Sequence, residues 1–240
     1  TPLYSSAASD VYKRQRIEFA SLFGSSRRGL VDLFSDIDVF VVCEGEPDKL
    51  AIANSLTRLG LRIGKQIDAT IFSLKDFEER IRNHDYLTAS ILNDSKFIFG
   101  NENSFLGAKG KIFQRTTDTE SVEFNRRMGL RMLKCASERL ENLLYNASFA
   151  RSLGFGEIDV LLGCLRDHHV GLGYLAASAE MKQQNRAVTL KQLLVSDHNS
   201  LMKDLMLTEK SIKRQGIVNL ENVNDLFDRS KLLRNALSRL

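Results

Sequence analysis

The chain has no tryptophan, and its only prolines are Pro2 and Pro47; its three cysteines, Cys43, Cys135 and Cys164, are odd in number and far apart. Thiols so scattered form neither a disulfide framework nor a zinc site, and they suit reduced cysteines in a cytoplasmic protein. Scarce proline leaves long helices uninterrupted, so a mostly helical chain is open to this sequence. No apolar run reaches the roughly 20 residues of a bilayer helix. The longest uncharged stretch of this kind, His168 to Ala179, carries two histidines and two glycines, so no membrane association is expected. An excess of one charge is lacking too. With 34 basic against 30 acidic side chains the formal charge is +4, which disfavours polyanion binding by bulk charge. There is no internal repeat and no low-complexity tract. What is present, 240 residues with 43% hydrophobic and 27% charged, suits a globular chain of one large or two modest domains.

Residues 1–15 stand apart. Ser5 to Gln15 resembles the in-frame translation of a transposase-type sequencing adapter, ending in Asp10-Val11-Tyr12-Lys13-Arg14-Gln15. The native sequence is therefore expected to start near Arg16, with residues that precede it lost. From there Ile17 to Phe23 is an apolar run that stops at Gly24-Ser25, a strand entering a turn. Asp36 to Cys43 alternates Ile37, Val39 and Val41 with Asp36, Asp38 and Phe40, which predicts a strand with one carboxylate-bearing edge and one buried face. Leu50, Ala53, Leu56 and Leu59 predict a helix that stops at Gly60. Gln66 to Phe72 predicts a third strand with Asp68 inside it, followed by a helix capped by Ser73; Lys96 to Phe99 is a last strand.

The chemistry concentrates between Phe23 and Val41. A glycine at a strand end lets backbone approach a phosphate with no Cβ in the way, so Gly24-Ser25 reads as a phosphate cradle. Asp36 and Asp38, two apart on a strand, share a face and repel each other unless a cation joins them. Hard oxygen ligands of this kind suit Mg²⁺, which completes its shell from water and substrate phosphates. Asp68 offers a third carboxylate, and the set suggests a two-metal site for phosphoryl or nucleotidyl transfer. The bland alternatives are a strand-edge pair or turn cap for Asp36 and Asp38 and a solvent-facing acid for Asp68. Ser35 reads as a turn residue and Arg27 as a solvated one.

Gly24-Ser25, then Asp36-Ile37-Asp38, then the strand acid in Ile67-Asp68-Ala69, resembles the nucleotidyltransferase superfamily related to polymerase β. Gly24-Ser25-Ser26-Arg27-Arg28-Gly29 and Ser35-Asp36-Ile37-Asp38 are closest to its minimal prokaryotic branch. Residues 101–118, of mixed charge, read as a linker, in part helical, and 119–240 as an all-α helical bundle, while the resemblance implies over residues 16–100 a small mixed sheet flanked by helices, an α+β fold in all. It implies transfer of a nucleoside monophosphate from a triphosphate, ATP by default, to an acceptor hydroxyl with release of pyrophosphate. Asp36 and Asp38 would hold Mg²⁺ on the triphosphate, and Asp68, sharing a metal, would orient or deprotonate the acceptor. Gly24 and Ser25 would hold the β and γ phosphates. Arg28 would contact a phosphate or pair with a carboxylate. The acceptor, a small molecule, a protein hydroxyl or an RNA end, stays open, and an oligomer is compatible with the sequence.

Beyond Thr119 strand signals vanish. Met132, Leu133, Ala136, Leu140, Leu143, Leu144 and Ala147 fall on one helical face, with Arg131, Lys134, Glu138 and Arg139 opposite, and further helices are predicted over 157–181, 189–194, 200–212 and 220–240. Such bundles resemble HEPN domains and the carboxyl-terminal half of kanamycin-type nucleotidyltransferases. Ribonuclease-active HEPN domains carry an arginine four to six residues before a histidine, a spacing that Arg166-Asp167-His168-His169 does not show. His168 and His169 read as a metal or acid/base site, or as a partly buried polar patch, and Asp159 as a candidate acceptor-site base. The competing functional reading is an antitoxin-like interaction protein of a nucleotidyltransferase–HEPN system; a dead nucleotide sensor would need a missing carboxylate, and all three are present.

Overall fold

The structure is a computed structural model that describes residues 17–27, 36–46, 49–114, 116–150, 155–193, 200–215, 218 and 220–237. The adapter-like segment 1–15 lies outside them. The architecture is α+β: a small mixed sheet and a mostly helical remainder. It divides into two compact units, one running to Arg82 and taking in Ile91–Gln114, the other combining Asn83–Ser90 with Arg115–Leu240. The division is interleaved. Within the stretch read as a partly helical linker over 101–118 lies a helix, Glu102–Gln114, whose Phe105, Ala108 and Ile112 are buried.

In the first unit the order is β1 (Ile17–Phe23), α1 (Gly24–Arg27), β2 (Ile37–Cys43), α2 (Lys49–Ile63), β3 (Ile67–Ser73) and α3 (Leu74–Arg82). After α4 (Tyr86–Asn93), which spans the division, come β4 (Lys96–Gly100) and α5 (Glu102–Gln114). The strands lie in the order β3-β2-β1-β4. β1 is antiparallel to both β2 and β4, while β2 and β3 run parallel. One face gathers Ala20, Val39, Val41 and Cys43 with Ile67, Ile71 and Ile52 of α2.

The other face is aromatic. Phe19 meets Phe77 of α3 at 5.3 Å and Phe105 of α5 at 5.6 Å, and Phe40 meets Phe72 at 5.6 Å, all edge to face. β2 thus has two buried faces, not the single one expected, because helices cover both sides; its run Val39–Cys43 is buried throughout.

Helix ends follow local chemistry. Ser73 caps α3 as expected, its Oγ accepting from Asp76 N at 3.1 Å. α2 runs through Gly60, the expected stop, to Ile63. Gly64 then takes φ 66°, and Lys65 N donates back to Gly60 O at 3.0 Å, a Schellman ending.

The second unit holds α6 (Thr119–Ala150), α7 (Phe155–Gln184), α8 (Leu190–Leu193), α9 (Ser200–Gln215) and α10 (Leu220–Leu237). Leu133 and Leu140 of α6, Leu165 and Leu172 of α7, Leu205 of α9 and Phe227 of α10 share one core. Each such side chain contributes at most about 1.5–3 kcal/mol by leaving water. α6 and α7 approach closely where side chains are absent: a Cβ on Gly171 would stand 2.8 Å from Leu133 Cγ, and one on Gly129 2.8 Å from Gly171 O. Of the predicted apolar face, Leu133, Ala136, Leu140 and Leu143 are buried; the side chains of Leu144 and Ala147 lie outside the described residues.

Asn83–Ser90 joins this unit through a buried polar network. Asp85 is fully buried and caps α4, accepting from Thr88 N at 2.9 Å, Thr88 Oγ1 at 2.6 Å and Tyr174 OH at 2.6 Å. Asn125 of α6 accepts from Tyr86 N at 2.8 Å and donates to the carbonyls of Asn83 and His84 at 3.2 and 3.3 Å. Burial also pushes the Tyr86 phenol up from its ordinary value. Replacing Asp85 by alanine strips a buried amide and two buried hydroxyls of their acceptor. Urea unfolding of Asp85→Ala is therefore expected to show a loss of about 2–4 kcal/mol, summed from a lost cap and buried unsatisfied donors.

Candidate active site

The site is built where three strand ends meet. Parallel pairing of β2 with β3 sets Asp38 directly opposite Asp68, with Ile37 opposite Ile67 and Val39 opposite Ala69. Register partners on neighbouring strands project to the same face, so both carboxylates belong to the aromatic face, beyond the phenylalanine cluster. Antiparallel pairing with β1 sets Phe23 opposite Asp38, and Gly24 follows at once.

Gly24 has φ 66°, and a Cβ built on it would collide with Asp38 Oδ2. The glycine therefore serves two needs, a left-handed backbone and a close approach to a carboxylate. Asp36 precedes β2, and the next peptide is pinned by Ile37 N donating to Gln66 O at 2.8 Å. Gln66 Nε2 lies 3.5 Å from Asp68 Oδ1, at the outer limit of a hydrogen bond. Asp36, Asp38 and Asp68 are half-buried.

The pairing thus brings Gly24, Asp38 and Asp68 together. Ser25 lies in α1, but its side chain is outside the described residues, as are Arg28 and Ser35 entirely. Arg27, read from the sequence as a solvated residue, has a partner: its Nη1 donates to Asp94 Oδ1 at 2.7 Å across 67 residues. Only the charge of Arg27 was visible in the sequence; its partner was not. Among the described residues, no three His, Cys, Asp or Glu side chains are gathered closely enough to hold a metal ion by themselves. The donor set of carboxylates, with no imidazole or thiolate, and a backbone free of Cβ beside Asp38, nevertheless fit a hard cation that fills its shell from phosphate and water.

Of the two histidines flagged in the second unit, His168 has structural partners, whereas His169 Nδ1 is buried without a hydrogen bond. His168 is buried; its Nδ1 lies 2.8 Å from Cys164 O, which can only accept, so Nδ1 carries the proton and Nε2 faces the Ser137 hydroxyl at 3.4 Å. Asp167 is paired with Arg139. His169 Nδ1 lies 3.6 Å from Glu209 Oε2, but Arg166 and Lys213, each at 3.5 Å, already supply that carboxylate with positive charge. Burial, then the charge of Arg166, holds His169 down to about 4, well below 6.5. Asp159 is exposed on α7. Among the described residues, no helix is long and apolar enough to cross a membrane.

Residues 8–104 match the family model described as Polymerase beta, Nucleotidyltransferase. Among curated proteins, none matches the chain. Of solved structures, a toxin–antitoxin crystal structure with AMP-PNP is similar at 17% identity, covering 45% of this chain and 83% of its own, with a TM-score of 0.32. A nucleotidyltransferase-like protein from Exiguobacterium sibiricum 255-15 is similar at 13% identity over 98% of this chain and 75% of its own, with a TM-score of 0.32. Likenesses this remote decide nothing about function, and the family match carries the comparison.

Gly64 provides an internal control for Gly24, since both have φ 66° but a Cβ on Gly64 meets nothing within 4 Å. Gly64→Ala is expected to cost about 1–2 kcal/mol of backbone strain in urea unfolding, and Gly24→Ala measurably more, because Asp38 must also move. The depressed His169 pKa fixes the sign of a pH effect. Between pH 6.5 and about 4 the unfolded chain binds a proton that the folded one does not. Stability is thus complete above pH 6.5 and falls toward pH 4, by up to about 3 kcal/mol. His169→Gln is expected to flatten that part of the stability–pH curve.

Proposed function

We propose that this chain, whose residues 8–104 match the polymerase β nucleotidyltransferase family, transfers a nucleoside monophosphate from a Mg²⁺-bound nucleoside triphosphate, ATP by default, to an acceptor hydroxyl. The observation that carries this reading is the register of Asp38 opposite Asp68 with Gly24 packed against Asp38. The acceptor oxygen forms a bond to the α-phosphorus as the bond to the β-phosphate oxygen breaks, and pyrophosphate leaves.

Asp36 and Asp38 would hold the divalent ion on the triphosphate, and Asp68 would share it. When bound, such an ion neutralises charge on the phosphates and favours the ionised form of a nearby hydroxyl. The remaining work falls to the chain. Gly24 offers backbone that a phosphate can approach without a side chain between, and Ser25 adds a hydroxyl to the same turn. Asp68, one strand away, accepts the proton of the acceptor hydroxyl. The ladder holds these groups at fixed spacing, so most of the rate gain comes from positioning and charge neutralisation. Arg28, next in sequence after that turn, would contact a phosphate or pair with a carboxylate.

Incubation with each of ATP, GTP, CTP and UTP, Mg²⁺ and candidate acceptors should release pyrophosphate. Asp38→Asn and Asp68→Asn are each expected to lower kcat by about 10²–10⁴-fold, the usual cost of losing a general base or charge-stabilising group, while leaving the urea midpoint nearly unchanged. Full activity in either variant would overturn the assignment.

A further inference from the structure

Arg27 closes the short helix that Gly24 opens, and its guanidinium is spent on Asp94 at 2.7 Å. Asp94 sits in the turn between α4 and β4, where its own N–H donates to Ile91 O at 3.1 Å. Ile91 and Leu92 are buried, so this turn is anchored in the core. Two residues on, Lys96 of β4 pairs with Leu22 of β1, itself two residues before Gly24. The Gly24–Arg27 turn is thus gripped on both sides by one neighbouring segment, through the β1/β4 ladder before it and through the ion pair after it. Within that grip Gly24 lies against the Asp38 carboxylate.

We propose that Arg27 and Asp94 form a positioning pair that holds the Gly24–Arg27 turn in the shape that receives the triphosphate; this rests on the assignment of that turn to phosphate binding. Both side chains are partly exposed, 40% and 29%, and exposed pairs contribute little to global stability. The pair acts on local shape. The sign of the Asp94 effect is diagnostic. An acid near a polyanion site, acting only through its charge, weakens triphosphate binding, and its removal strengthens binding. An acid that holds the turn through Arg27 has the opposite effect.

The test uses the full chain, with Mg²⁺ and each of the four common triphosphates titrated calorimetrically, alongside kcat and KM from pyrophosphate release and amide exchange over residues 22–27. Asp94→Asn and Arg27→Ala are each expected to weaken binding about three- to tenfold, the usual coupling range of a contacting pair. KM rises, kcat stays within about twofold, and amide exchange in the turn speeds up. Arg27→Lys should recover part of the affinity, and the swap Arg27→Asp with Asp94→Arg should recover most of it. The urea midpoint guards against a folding defect. Asp94→Asn binding as tightly as the wild type, or more tightly, overturns the pair, as does a loss in Arg27→Ala that neither Asp94→Asn nor the swap shares, which would mark Arg27 as a direct phosphate contact. If the wild type binds none of the four triphosphates, the proposed function fails and takes the pair with it; triphosphate binding with unaffected variants removes the pair alone.

Discussion

The parallel ladder between β2 and β3 is the constraint on which the rest of the first unit depends. Its register places Asp38 against Asp68, and a slip of one residue would send one carboxylate into the Ala20, Val39 and Val41 layer. Apolar packing on both faces enforces that register, since Ile37, Val39 and Val41 must meet Ile67 and Ile71 on one side while Phe40 meets Phe72 on the other. The core thus sets the spacing of the charges above it. β1 adds the last piece from the opposite direction, because its antiparallel run ends at Gly24 beside Asp38.

The second unit sets clusters of polar groups inside an aliphatic core. Asp85, Asn125 and Tyr174 form one buried network, and Glu209 pairs with Arg166 and Lys213 beside a His169 Nδ1 that makes no hydrogen bond. Losing one member of such a network leaves the others uncompensated, which is why they hold their geometry. Asp167 and His168, chemically suggestive in the sequence, are absorbed by structural duties.

Much of the site could be read from the sequence because its signals are local. Alternation of Asp36 and Asp38 with Ile37 and Val39 marks a strand and its face, and a glycine after an apolar run marks the bend. The helical half was legible from its apolar spacing for the same reason. What escaped depends on partners distant in the chain. α4 went unnoticed because Asp85 draws on Tyr174 and its flanking peptides on Asn125, 89 and 39 residues away from Asp85 and Tyr86 respectively. Gly60 and Gly64 look alike in sequence, and only the left-handed φ of Gly64 decides which ends α2. That Asp68 joins Asp36 and Asp38 was legible, but its placement residue for residue opposite Asp38 follows from tertiary register, and the Arg27 partnership from the position of the turn before β4.

The interleaved division has a practical side. The polypeptide passes from one unit to the other at Arg82/Asn83, at Ser90/Ile91 and at Gln114/Arg115. Severing it at any single point therefore never leaves both halves intact: a cut after Gln114 keeps the whole first unit but strips Asn83–Ser90 from the second. A fragment ending near residue 100 would carry Asp85 and Tyr86 without Tyr174 and Asn125, and would lack the Phe105 ring that closes over Phe19. A fragment beginning near residue 119 would have Asn125 and Tyr174 facing a void. Dissection of this protein into separately expressed pieces must follow the braided path of its backbone instead of the order of its residues.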